Sequence, residues 1–165
     1  MRLKMISAMA AALLLAACAS DEAATTGDGS ASGATSGTGT TQGAVTPGSP
    51  EDFQQNVGDR VFFGFDRYDL SGEAQSQLQK QAAWLAQFPA VTVTIEGHAD
   101  ERGTREYNLA LGERRANAVA NYLTALGVDA GRISVISYGK ERPECADSNE
   151  SCWAQNRRGV TAVNR

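Results

Sequence analysis

The run Glu96-Gly-His-Ala-Asp-Glu-Arg-Gly-Thr-Arg-Glu-Tyr-Asn108 holds the densest collection of acids, bases and amides in the 165-residue chain. Two kinds of chemistry are open to it. His98, the sole histidine, has Glu96, Asp100 and Glu101 beside it, a set that can be read as a metal or acid–base centre. Hydrolytic zinc sites use two or three strong ligands, however, and neither a second histidine nor a nucleophile motif accompanies this one. A hydrogen-bonded His98 that fixes the turn is the simpler reading, so no enzyme, no metal and no cofactor are expected. The second kind of chemistry is non-covalent binding, for which a Gly-rich strand-to-helix turn offers polar side chains at the end of a rigid sheet.

Helical spacing brings Arg115 toward the same cluster. Asn108, Leu111 and Arg115 stand at i, i+3 and i+7 and share one face of a helix expected from about Thr104 to Leu126. Its inward residues are Leu111, Val119, Tyr122, Leu123 and Leu126, and Gly127 stops it. Arg114, rotated by about 100° from Arg115, is left to solvent. A cation aimed at the edge of a core requires a partner. That partner is either Asp100 or Asp66, holding the turn together, or a ligand, and patterning alone leaves both open.

The elements that must position these residues follow from periodicity. Arg60-Val-Phe-Phe-Gly-Phe65 is rich in strand formers, and a polar turn over Asp66–Ser71 leads to a helix capped by Ser71, with Ala74, Leu78, Ala82 and Leu85 at helical spacing and Pro89 as its stop. Val91–Glu96 alternates as a strand with one buried face, Arg132–Tyr138 is a third strand, a short helix starts near Ser151, and Val160–Val163 is a fourth strand. The order β-α-β-α-β-(α)-β predicts an α/β (α+β) fold, a mixed four-stranded sheet with helices on one face, as a single domain over residues 51–165. Cys145 and Cys152 bracket a polar loop, either as a disulfide or as two free thiols. Asn156-Arg-Arg158 beside that loop is either a solvated face or, by preference, a partner contact.

Residues 1–17 read as an export leader, with Arg2 and Lys4 before an apolar stretch too short to span a bilayer. The leader ends in Leu15-Ala16-Ala17-Cys18, which resembles a bacterial lipobox and makes Cys18 the lipidation site. Several acyl chains on one residue anchor stably where a single chain is marginal. Ala19, rather than Asp, after the cysteine points to the outer membrane. Residues 18–50 are dominated by Gly, Ser and Thr and cannot bury enough to offset their ordering entropy, so they are expected to form a flexible tether. The formal charge of −4 includes Arg2 and Lys4, and no basic stripe is present, which argues against nucleic acid as a partner.

Gly97-His-Ala-Asp-Glu-Arg-Gly-Thr104, followed by Tyr107-Asn-Leu-Ala-Leu-Gly-Glu-Arg-Arg-Ala116, resembles the signature of the OmpA-like peptidoglycan-binding domain family, and the likeness runs over residues 60–164. Phe63-Gly-Phe-Asp-Arg-Tyr-Asp69, Ser137-Tyr-Gly-Lys-Glu-Arg-Pro143 and the lipobox make it similar to the lipid-anchored branch of that family. The resemblance implies a non-enzymatic module that holds the meso-diaminopimelate of uncrosslinked stem peptides, with Asp100 and Arg115 as the gripping pair and Asn108 lining the pocket. Phe65 and Asp66 would form the opposite wall and Arg102 the rim. TolB and other Tol proteins are the implied partners, in a system that tethers the outer membrane to the cell wall and supports division. Diaminopimelate ends in an ammonium and a carboxylate on one carbon; Asp100 suits the first, and the fork of Arg115 suits the second. Lysine-type peptides lack that carboxylate and would leave the arginine unpaired. The Cys-bracketed loop departs from the family pattern.

Overall fold

A computed structural model describes residues 45–164; the leader, Cys18 and most of the expected tether lie outside those residues. The strands are β1 (Arg60–Phe62), β2 (Val93–His98), β3 (Ile133–Gly139) and β4 (Arg158–Val163). They form one mixed sheet in the order β1-β4-β2-β3, with β4 antiparallel to both β1 and β2, and β2 parallel to β3. The helices are α1 (Pro50–Asp52), which runs into a π-helical turn at Phe53–Val57, then α2 (Gly72–Gln87), α3 (Arg105–Ala125) and α4 (Glu150–Asn156). The mixed sheet and the element order agree with expectation, and the fold is α/β.

Alternation sorts the strand residues between two environments. Val61, Val93 and Ile95 meet Leu78, Leu85, Val119 and Leu123 of α2 and α3 in the buried core. Arg60, Phe62, Glu96 and Ile136 fall on the opposite face. Ser71 caps α2 as the sequence suggests, its Oγ accepting from the Ala74 N–H, and Thr104 Oγ1 caps α3 in the same way by accepting from the Tyr107 N–H. α2 stops at Gln87, two residues short of Pro89, since the residue before a proline is pushed out of the helical region.

Several boundaries differ from expectation. β1 ends at Phe62, because the chain turns away through Gly64 and through Asp66, whose φ is 54°. β2 starts and ends later than Val91–Glu96, so His98 belongs to the strand. Leu126, expected inside, is 39% exposed, because α3 has already ended at Ala125. Val128 is buried instead, closing the core after the Gly127 turn. The helical turns over Pro50–Val57 were not expected; Phe53 buries there against Trp84, with ring centroids 4.8 Å apart.

The contact that places α3 is between two glycines. A Cβ built on Gly97 of β2 would stand 1.8 Å from the backbone oxygen of Gly112 in α3, and one on Gly112 would stand 2.7 Å from the Gly97 oxygen. Helix and strand therefore touch backbone to backbone, one turn before Arg115. Gly97→Ala should push α3 off the sheet and lower unfolding free energy by roughly 3 kcal/mol or more, the upper end of an overpacking penalty. Urea denaturation of the variant beside the wild type measures this, and a change within about 0.5 kcal/mol, the usual range at unconstrained sites, would contradict it.

Candidate functional site

A cleft of about 180 Å³ opens where β2 passes into α3. Its lining contains all six of the residues expected to bind, Phe65, Asp66, Asp100, Arg102, Asn108 and Arg115, together with Gly103, Tyr107 and Leu111. It is smaller than the roughly 300 Å³ at which drug-sized pockets begin. The space suits the end of a side chain.

Arg115 is fully buried. Its Nε donates to Arg67 O (2.8 Å), Nη1 to His98 O (2.7 Å) and Nη2 to Gly64 O (3.1 Å). Neither Asp100 nor Asp66 forms an ion pair with it, so the pairing that patterning left open is not how the turn is held. Three carbonyls do that work instead, from two separate chain segments. Burial pushes the Arg115 pKa down to about 10, and the group still carries its proton at neutral pH. A guanidinium has five N–H donors; the three carbonyls leave one N–H on each of Nη1 and Nη2. The arginine thus lines the cleft as a cation that no carboxylate contacts directly, with the charges of Asp100 and Asp66 near enough to favour its protonated form and two N–H groups beyond those the carbonyls take.

Asp100 is held very differently. Oδ1 accepts from the Arg102 backbone N–H (3.1 Å) and Nε (3.2 Å); Oδ2 accepts from Arg102 Nη2 (2.7 Å) and Arg157 Nη1 (3.3 Å). Burial alone would raise this carboxyl, but the two arginines outweigh it and hold the pKa below the ordinary value. Arg102 covers Asp100 with its guanidinium 4.1 Å from the ring centroids of both Phe65 and Trp153. Asn108, buried, donates its amide to Arg102 O (2.8 Å) and fixes that loop, while Lys140 Nζ donates to the carbonyls of Glu101 and Gly103. On the far wall Tyr107 donates its hydroxyl to Asp66, which raises the Tyr107 pKa. Arg114 is exposed, as expected, with Tyr68 and Tyr107 beneath it.

Asn156, Arg157 and Arg158 are all buried, which corrects their reading as a partner contact or solvated face. Arg157 donates to Phe63 O (3.1 Å), Asp100 and Glu150 (2.7 Å), so it forms the floor behind the acid. Asn156 accepts from the N–H groups of Glu144 and Cys145 and donates to Cys145 O. Arg158 pairs with Glu144 at 3.0 Å. Cys145 and Cys152 are joined in a disulfide that closes the loop ahead of α4. Both sulfurs are thereby committed and are not free to act with Asp147 as metal ligands. Trp153 and Arg157, which sequence reasoning did not place at the site, arrive on and just after this helix. The Asn156-Arg-Arg158 run was the signal for Arg157, and nothing pointed to Trp153.

His98 faces away from the cleft, as alternation along β2 requires. It is buried, its ring 5.4 Å from that of Tyr138, and the nearest carboxylate oxygen, Glu96 Oε2, is 3.6 Å from Nε2. Neither ring nitrogen makes a hydrogen bond of strict geometry among the described residues, although the Arg142 backbone interacts with the ring and opposes part of the fall in its pKa. Burial, followed by the charge of Arg158, pushes its pKa down to about 4.

The sequence profile described as the OmpA family matches residues 62–157. The chain belongs to the OmpA family. Among OmpA-family relatives, the peptidoglycan-associated lipoprotein of Rhizobium meliloti is 56% identical over 127 residues, covering 77% of this chain and 72% of that one. The protein of the same name from Haemophilus influenzae is 49% identical over 114 residues, covering 69% and 74%. The crystal structure of the peptidoglycan-associated lipoprotein from Burkholderia pseudomallei superposes with a TM-score of 0.66 at 39% identity, covering 70% of this chain and all of that one. The C-terminal domain of Helicobacter pylori MotB, 19% identical with a TM-score of 0.61, shares the fold. Among the described residues no helix is long and apolar enough to cross a membrane.

The His98 environment generates a pH test. An unfolded His98 takes up its proton near 6.5 and the folded one near 4, so between those values the unfolded state binds more protons. That part of the stability is present above pH 6.5 and is lost as pH falls toward 4. His98→Gln should flatten the pH dependence of the melting temperature across this window. An unchanged profile would show that the ring does not cause it.

Proposed function

We propose that this chain is an outer-membrane lipoprotein that grips the diaminopimelate of peptidoglycan stem peptides without a covalent bond. The observation that carries the reading is Arg115: a buried cation, paired with no carboxylate among the described residues, with two donors left and a cleft in front of it. Such a group calls for an anion. A carboxylate reaching it would accept a bidentate, charge-assisted pair of hydrogen bonds in a low-dielectric setting. Asp100, in the same lining, supplies the opposite charge for the ammonium on the same carbon. Phe65, Asp66 and Tyr107 form the outer wall, Asn108 lines the cleft and Arg102 stands at its rim.

The rest of the reading extends from the sequence. Residues 1–17 act as the export leader, Cys18 carries the lipid, and residues 18–50 tether residues 51–165 to the periplasmic face of the outer membrane. In this role the protein links that membrane to the cell wall, with TolB and the other Tol proteins as partners, and supports envelope integrity and division. The names of the relatives, which couple peptidoglycan with a lipoprotein, support this assignment.

Calorimetric titration tests it with two soluble stem tripeptides, one containing meso-diaminopimelate and one containing lysine. The first should bind at least tenfold more tightly, about 1.4 kcal/mol, because lysine leaves the Arg115 charge unpaired. Arg115→Lys should weaken the first and leave little difference between the two. Arg115→Ala is a poor probe, since it orphans three carbonyls at about 1–3 kcal/mol each and would unfold part of the population. Equal affinities of the wild type for the two peptides would overturn the reading.

A further inference from the structure

A carboxylate offers about four lone-pair positions, and Asp100 has all four filled, three by Arg102 and one by Arg157. A ligand ammonium therefore has no acceptor there until a resident donor leaves. The two arginines are not equally able to do so. The Arg157 side chain is 7% exposed and is also bound to Phe63 O and Glu150, whereas that of Arg102 is 31% exposed. Every side-chain bond that Arg102 makes is to Asp100, apart from a Glu150 oxygen 3.7 Å from its Nη1.

The space that Arg102 fills has the form of a cation slot. Phe65 and Trp153 present their rings to its two sides at equal distances of 4.1 Å, and Asp100 lies at its base. Aromatic faces attract cations through the ring quadrupole, and the attraction rises with desolvation. Beside the slot, α4 offers Glu150, whose other oxygen already holds Arg157, as the group toward which a displaced Arg102 would swing.

We infer that Arg102 occupies a binding subsite for a primary ammonium, walled by Phe65 and Trp153 and based on Asp100, and that the ligand exchanges with it one cation for another. The inference rests on the peptidoglycan reading above and adds an occupant to be displaced and a wall, Trp153, that the proposed grip does not include. The exchange conserves charge at Asp100, so the buried balance with Arg157 is preserved while the ligand carboxylate neutralises Arg115. With the resident cation in place, Arg102 and Arg157 together hold the Asp100 carboxyl below its ordinary value.

The test uses the full-length lipoprotein in detergent and the diaminopimelate tripeptide, beside a derivative acetylated on the side-chain amine. Removing the competitor with Arg102→Ala should tighten binding of the free-amine peptide roughly five- to tenfold, the scale of one charge-assisted contact at a partly exposed site. The acetylated peptide should show no such gain. Trp153→Leu in the Arg102→Ala background should reverse part of the gain, and circular dichroism of each variant checks that it is folded. If the wild type binds with the expected selectivity but Arg102→Ala binds equally or more weakly, the exchange is overturned and the grip stands. An equal gain for the acetylated peptide also overturns it, because widening of the cleft would then be the cause. Absence of binding by wild type and variant alike would overturn the peptidoglycan reading and the exchange together.

Discussion

A positive charge enclosed in protein is the constraint around which this molecule is organised. Removing a guanidinium from water is costly, and Arg115 accepts that cost in exchange for hydrogen bonds to Gly64, Arg67 and His98. Those carbonyls lie on the turn after β1 and on the last residue of β2, while the arginine itself is on α3. One side chain thus fastens three elements at the point where the cleft opens. Its bonds are to neutral oxygens, so the geometry is secured without a direct ion pair. The same group fastens the turn and presents a cation to the cleft lining.

Much of this was legible because it is local. The i, i+3, i+7 spacing of Asn108, Leu111 and Arg115 put all three in the lining, and the cap at Ser71 is satisfied within four residues. Alternation identified β2. What could not be read is non-local. Asp100 and Arg157 are 57 positions apart, and nothing in either neighbourhood announces the other. A run of Asn and Arg next to a polar loop has the composition of a surface, and burial follows only from where the chain returns. For the same reason the acid looked available in sequence when in the fold it is fully engaged.

The disulfide loop belongs to the site more closely than its composition suggests. Cys152 lies in the first turn of α4, whose start is capped by Asn149, and Trp153 follows immediately. From there the Trp153 indole donates to Glu101 (2.9 Å) and its ring covers Arg102. Glu150 on the same turn holds Arg157. The disulfide-closed loop therefore reaches the Asp100–Arg102 turn through a single helical turn.

The sheet order carries a consequence for how the cleft is put together. β1 has one neighbour, and that neighbour is the last strand of the chain. The wall formed by Phe65 and Asp66 hangs directly from β1, and Phe63 is tied by its backbone N–H to Arg157 O. Every residue lining the cleft lies at or before Arg115, yet its first wall is held by β4, which comes after all of them. The cleft is therefore assembled by a pairing between β1 and a strand that contributes nothing to its lining.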